Sequence, residues 1–167
     1  MWVSCTLRES ISFGDERTEI HQQKSGEFMR VISCGTLIID GRGRILLCHA
    51  TGTHNWDIPK GIQDPGETTL EAARREMLEE TGLAFDVALF QDLGEFAYRS
   101  DKRLHLYKVE VGDSLCTLDH LKCTSHFPHR YTGKPTPEAD DFAWCTRDQV
   151  RTMCWPRMAQ LLLSLDW

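Results

Sequence analysis

Residues 56–83, WDIPKGIQDPGETTLEAARREMLEETGL, carry a Pro/Gly-rich loop into an acidic helix. Thr68 and Glu71 form a capping box: the hydroxyl takes one orphan N–H and the carboxylate reaches back to the cap's own N–H. Leu70, Ala73 and Met77 recur at i, i+3 and i+7, which predicts a buried stripe. Gly82 stands where a left-handed C-terminal cap is expected. Glu76, Glu79 and Glu80 then share one face, because residues three and four apart are neighbours on a helix. Three like charges there repel one another. They make either a solvated acidic face, with Arg75 pairing Glu79, or a site for a hard divalent cation such as Mg²⁺, which binds carboxylates together with substrate phosphate oxygens.

The spacing separates these two readings. Five residues lie between Gly61 and Glu67, seven between Glu67 and Arg75-Glu76, and then follow Glu79-Glu80, Gly82 and an apolar Leu83. This resembles the signature of the Nudix hydrolases at every fixed position. Seven specified residue types at roughly 6% each would coincide by chance about once in 10⁸ tries. The resemblance is sharp over Trp56–Leu83 and looser over Val31–Trp144. It implies an α/β fold, an α/β/α sandwich with a mixed β-sheet between helices, and a metal-dependent pyrophosphohydrolase.

By the same resemblance, Glu76 and Glu80 are the principal ligands of Mg²⁺ or Mn²⁺, with Glu79 in the same shell and the Gly61 carbonyl completing it. Glu79 is also a candidate catalytic base, since crowded carboxylates have raised pKa values. Arg75 would hold a glutamate in its working rotamer, and Glu67 would orient the loop and Arg75. The later run Pro137-Glu138-Ala139-Asp140-Asp141 is similar to the distal loop of RNA 5′-pyrophosphohydrolases and diadenosine tetraphosphate hydrolases, where a glutamate reaches the metals. Glu138 is the matching position and Asp140 the second choice; a charged turn is the competing reading. Glu79 and Glu138 both stand as the base.

Trp56-Asp57-Ile58-Pro59-Lys60-Gly61 resembles the W-x-x-P-K-G motif of diadenosine tetraphosphate hydrolases and related nucleotide and diphosphoinositol hydrolases. Lys60 would meet a distal phosphate as a point charge. Tyr98, Arg99, Lys102, Tyr107 and the segment FPHRYTGK (residues 127–134) offer rings and cations for a base and further phosphates. The expected reaction is cleavage of a diphosphate linkage in a nucleoside diphosphate derivative, foremost a dinucleoside polyphosphate. RNA 5′ ends and nucleoside triphosphates are alternatives. A non-catalytic nucleotide-sensing module of the same fold is the alternative from another class; such domains commonly lose a signature glutamate, and none is missing here.

Composition bounds the rest. At 167 residues, 41% hydrophobic and 26% charged, one globular domain is expected: residues 29–167, preceded by a polar, loosely ordered extension over residues 1–28 with an edge strand near Val3–Leu7. Met29 offers an alternative translation start. The formal charge of −6 argues against non-specific nucleic-acid binding, which depends on Lys and Arg neutralising phosphates. Seven scattered cysteines read as free thiols of a reducing compartment. With no membrane-length apolar run and no signal-peptide core, a cytoplasmic location is expected and no membrane partner. Oligomeric state cannot be read from the sequence.

Strands are expected at Val31–Asp40, Ile45–His49, Val87–Leu93 with Glu95–Tyr98, Leu104–Val111 and Phe142–Cys145. Thr146 with Gln149 makes a second capping box. Pro156 should open a terminal helix with Leu161, Leu162 and Leu165 inward. Residues 112–137, rich in His and Cys, read as a flexible, pH-responsive specificity loop. Cys123, His126 and His129 lack the paired spacing of a structural zinc site.

Overall fold

The computed structural model describes residues 31–167; the edge strand expected near Val3–Leu7 lies outside them. The chain runs β1 (Val31–Asp40), β2 (Ile45–Ala50), β3 (Trp56–Asp57), β4 (Lys60–Ile62), α1 (Thr69–Thr81), β5 (Gln91–Arg99), β6 (Lys102–Gly112), β7 (His126–Pro128), β8 (Pro135–Pro137), β9 (Ala139–Cys145), α2 (Arg147–Met153) and α3 (Pro156–Ser164). The main sheet follows the order β3-β2-β1-β6-β5, with β4 added on β1 and β9 on β2. β1 and β6 are parallel neighbours along their whole length, from Val31 opposite Lys102 to Asp40 opposite Gly112. The other pairings are antiparallel, so the sheet is mixed, as expected.

β1 is buried over Ser33–Asp40 and mostly apolar because both of its faces are covered. Cys34 lies against Ala72 and Ala73 of α1, and Ile38 against Met77. Leu37 and Ile39 on the opposite face pack with Met158, Ala159 and Leu162 of α3. These layers are the α/β/α sandwich. The β1–β2 turn is held by Asp40, which accepts the Arg42 and Arg44 N–H groups at 2.9 and 2.8 Å. Burial works against its charge, but these bonds and the Arg44 guanidinium hold its carboxyl below the usual range.

Several boundaries differ from those the sequence predicts. Residues 87–89 form a 3₁₀ turn in which the Asp86 carboxylate accepts the Ala88 N–H, and the strand starts only at Gln91. In α3 the buried residues are Met158, Ala159 and Leu162; Leu161 is half-buried, and Leu165 lies just past the helix end. Residues 113–125 are packed rather than loose: Leu115, Leu121 and Cys123 are buried, and Lys122 N–H donates to the Thr81 carbonyl at 3.1 Å. This anchoring replaces the flexible loop expected there. Cys123 turns into the core beside Cys48, Ala139 and Phe142, whereas His126 sits exposed on β7. Among the described residues, no helix is long and apolar enough to cross a membrane.

Candidate active site

α1 is built as its sequence predicts. Thr68 and Glu71 make both halves of the capping box, and Gly82 closes the helix in the left-handed region at φ 76°. The face turned inward contains Ala72, Ala73 and Met77, and also Glu76 and Glu80, which are 8% and 9% exposed. Two buried carboxylates on a core-facing stripe need compensating partners. Three surrounding groups accommodate the carboxylates, two as polar partners and one by leaving space.

Arg75 is the first. Its Nε and Nη2 donate to the two Glu67 oxygens at 2.8 and 3.0 Å, a fork on a fork, and Nη2 also reaches the Ile62 carbonyl at 3.0 Å. Nη1 bonds Glu76 at 2.7 Å and Glu79 at 3.2 Å. One planar guanidinium thus ties the approach loop to two carboxylates of the helix, which a lysine cannot do. The Arg75 hydrogen bond, with that of the Asp64 N–H, holds the Glu67 carboxyl down at about 2. Glu67 therefore faces Arg75 and the loop, as expected.

Gly61 is the second. β4 pairs with β1, placing Gly61 opposite Cys34, and a Cβ on Gly61 would overlap the Glu76 carboxylate. Glycine is required here by close approach, not by backbone conformation. The third group is Lys60, whose backbone N–H donates to Glu80 at 3.2 Å. Burial pushes the Glu80 carboxyl up to about 8; Lys60 opposes the rise, and Glu76 and Glu138 add to it. Burial also raises Glu76, against Arg75 and reinforced by Glu79 and Glu138.

Glu138 is brought to this cluster by backbone bonds. The carbonyl of Glu79, near the C-terminus of α1, accepts the N–H groups of Thr124 and Ser125 at 2.7 and 3.3 Å; Glu138 N–H then donates to Ser125 at 3.1 Å, and its carbonyl accepts Thr51 N–H at 3.0 Å. Asp140 is engaged elsewhere, 2.5 Å from His49 Nδ1, while His49 Nε2 meets the Thr53 carbonyl at 3.1 Å. His49 drew no attention in the sequence, because nothing local marks a strand histidine as the partner of a distant aspartate.

The donor set fits a hard divalent cation. Glu76, Glu79, Glu80 and Glu138 are oxygen donors, the buried pair is held toward protonation chiefly by burial and further by neighbouring carboxylates, and Gly61 leaves the space a carboxylate needs. Among the described residues, no three acidic, His or Cys side chains converge into a preformed cage. Glu76 and Glu79 turn to Arg75, and Glu80 to the Lys60 N–H. A cation would compete with those partners, as Mg²⁺ does when it takes few protein ligands and keeps waters and phosphates.

Next to the cluster is a cleft of about 520 Å³ lined by Asp57, Lys60, Tyr98, Arg99, Lys102, Trp155, Pro156 and Arg157. Lys60 Nζ pairs with Asp57 at 2.9 Å. Burial acts to discharge Lys60, but Asp57 and then Glu80 outweigh it and hold the ammonium above the ordinary lysine range. Lys102 has no carboxylate within ion-pair distance among the described residues, and burial, Lys60 and Arg99 together lower its pKa. Arg157 donates to the Tyr98 carbonyl at 2.6 Å, and Trp155 is 46% exposed.

Of the side chains expected at substrate, the fold brings Lys60, Tyr98, Arg99 and Lys102 together and excludes Tyr107. That ring is 5% exposed, its hydroxyl lies 2.7 Å from Thr69 Oγ1, and it packs edge-on to Phe90. Tyr107 fastens α1 to β6; alternation along β6 points it at the helix. Trp155 and Arg157 were missed. The available signal was a tryptophan at the start of a helix, before Pro156, where a polar cap is usual.

A NUDIX domain model matches residues 29–165. The chain is 32% identical over 146 residues, covering 82% of it and 96% of the relative, to an uncharacterized 17.7 kDa protein from the e-segB intergenic region of Enterobacteria phage T4. It is 41% identical over 116 residues, 66% of each chain, to an RNA pyrophosphohydrolase of Erwinia tasmaniensis. A 74-residue stretch, 41% of this chain and half of the relative, is 54% identical to the asymmetrical bis(5′-nucleosyl)-tetraphosphatase of Rattus norvegicus. In three dimensions a C. elegans Ap4A hydrolase superposes with a TM-score of 0.57 over 79% of this chain and 93% of its own, at 20% identity. With the acidic helix, the glycine beneath it and the layered fold all in place, the chain belongs to the Nudix hydrolase family.

Proposed function

We propose that this Nudix hydrolase cleaves a diphosphate linkage within a dinucleoside polyphosphate, using Mg²⁺ or Mn²⁺. The observation that carries the reading is the cationic, aromatic cleft joined to the acidic helix through one residue: Lys60 donates its backbone N–H to Glu80 and places its ammonium in the cleft. In a chain of net charge −6, a cleft that gathers Lys60, Arg99, Lys102 and Arg157 matches a polyanion. Tyr98 and Trp155 supply ring faces for a base.

Bound divalent cations would neutralise the bridging phosphate oxygens and activate water. Glu76, Glu80 and Glu79, with the Gly61 carbonyl, are the groups to hold them. Arg75 bridges Glu76 and Glu79 through one nitrogen and fixes their orientation. Water adds to one phosphorus, the P–O bond of the bridge breaks, and the water's proton passes to a carboxylate. Glu79 and Glu138 are the two candidates to take it, a reading supported by their backbone links to Ser125. Lys60, Tyr98 and Arg99 hold the substrate, with Lys102, Trp155 and Arg157 added from the cleft.

Likeness to an RNA pyrophosphohydrolase over two thirds of each chain favours one second reading, an RNA 5′ end as substrate. The test is chromatography of products from diadenosine polyphosphates, 5′-triphosphate RNA, nucleoside triphosphates, sugar nucleotides and diphosphoinositols, with Mg²⁺ and with chelator. Metal-dependent cleavage greatest on diadenosine polyphosphates is expected. Preference for RNA would establish the second reading, and cleavage of none would overturn both.

A further inference from the structure

We propose that the β7–β8 hairpin is a substrate arm that stacks a second nucleobase and holds the phosphate beside it. This rests on the reaction proposed above, because only a substrate seated at the acidic helix brings a second nucleoside here.

Three observations support it. The hairpin springs from the site: its first strand follows Thr124 and Ser125, both bonded to the Glu79 carbonyl, and its second ends at Pro137, directly before Glu138. Three residue pairs, His126 with Pro137 to Pro128 with Pro135, carry its tip roughly 10 Å beyond Glu138 at about 3.3 Å per residue.

Second, the tip is ordered while its rings stay outside. His129 N–H donates to the Lys134 carbonyl at 2.9 Å and Gly133 N–H to the His129 carbonyl at 2.8 Å. His129 Nδ1 accepts the Tyr131 and Thr132 N–H groups at 3.4 and 3.3 Å. Yet Tyr131 is 83% exposed and Phe127 36%. An exposed tyrosine on a fixed turn contributes nothing to the core and offers a ring at low entropic cost.

Third, the charge is complementary to a nucleotide. Between Thr124 and Pro137 the chain has His126, His129, Arg130 and Lys134 and no carboxylate, within a protein of net charge −6. The Arg130 guanidinium lies 5.5 Å from the Tyr131 ring centre, so ring and cation are presented together. That pairing is what single-stranded nucleotide recognition uses: stacking for the base, a cation for the backbone.

The test compares substrates that differ by one nucleoside. The kcat/KM ratio of diadenosine tetraphosphate to adenosine 5′-tetraphosphate is measured with Mg²⁺ for wild type, Tyr131→Ala, Tyr131→Phe and Arg130→Ala/Lys134→Ala. We expect Tyr131→Ala to lower the ratio about tenfold through KM, the size of one lost base stack. Tyr131→Phe should restore it, and the double variant should lower it with a flatter salt dependence. The parallel ratio of a 5′-triphosphate adenylyl dinucleotide to ATP separates the sources: a fall in the first ratio points to dinucleoside polyphosphates, a fall in the second to RNA, and either supports the arm. Ratios that stay within twofold overturn it. If wild type cleaves none of the four compounds, the proposed reaction fails by itself. The arm is then judged by calorimetric Kd ratios for the same pairs, where lack of discrimination, or no binding, overturns it too.

Discussion

The carboxylate of Glu76 occupies the space where a side chain on Gly61 would begin. Glu76 cannot simply swing aside, because Arg75 holds it at 2.7 Å and the surrounding core leaves it 8% exposed. Gly61→Ala should therefore displace a cation ligand while sparing the fold, since β4 needs no left-handed backbone at this position. We expect Mn²⁺ affinity, read by paramagnetic titration, to fall about 10–100-fold, as when a group that orients a ligand is lost. Unchanged affinity would mean that Glu76 is not a ligand.

This relationship also shows how the sequence and the structure divide the information. The α1 cap, its glycine stop, the mixed sheet and the Arg75–Glu67 link were all legible, because each is local or carried by a fixed spacing. Tyr107 was misread because an alternating strand does not say which of its faces a helix covers. Trp155 and Arg157 were missed because they reach Tyr98 and Lys60 only through the packing of α3, with Tyr98 and Arg157 standing 59 positions apart in its closing hydrogen bond. The β7–β8 hairpin escaped notice since its strands are three residues each and contain prolines.

Glu79→Gln and Glu80→Gln should each lower kcat by at least about 100-fold with far-ultraviolet circular dichroism unchanged, the scale of a lost proton acceptor or its metal support. Glu138→Ala serves as the comparison. Whichever of Glu79 and Glu138 takes the proton should lose the acidic limb of the pH–rate profile when replaced, while the other keeps it. Wild-type rates in both Gln variants would remove the acidic helix from the chemistry.

Burial of Glu80 makes the metal-free protein sensitive to pH. Its carboxyl titrates near 4.5 when exposed and is pushed up to about 8 in the fold. Between those values the folded state holds a proton that the unfolded state has released, so stability falls as pH rises through the window. Glu76 is raised in the same sense. Glu67, held down at about 2, gives stability that is lost only as pH drops below its ordinary value, outside this range. The melting temperature in chelator should thus decline from pH 5.5 to 8, and the decline should be shallower in Glu80→Gln. Mg²⁺ should reverse the trend, because deprotonated ligands bind it better. A flat chelator profile in wild type would show that Glu80 is not buried as a carboxylate.

Lys102 tests the cleft, because its two effects should have opposite signs. Its ammonium is partly desolvated and faces Lys60 and Arg99 with no carboxylate within ion-pair distance among the described residues, so the free protein tolerates it at a cost. Lys102→Met keeps the aliphatic stem and removes the repelled charge. We expect a higher melting temperature by a few degrees, about 1 kcal/mol at this chain length, together with a several-fold higher KM for diadenosine tetraphosphate and little change in kcat. Such a trade is what a binding site imposes when it gathers like charges for an absent anion. A lower melting temperature would place Lys102 among the structural cations. An unchanged KM would remove the cleft from substrate recognition.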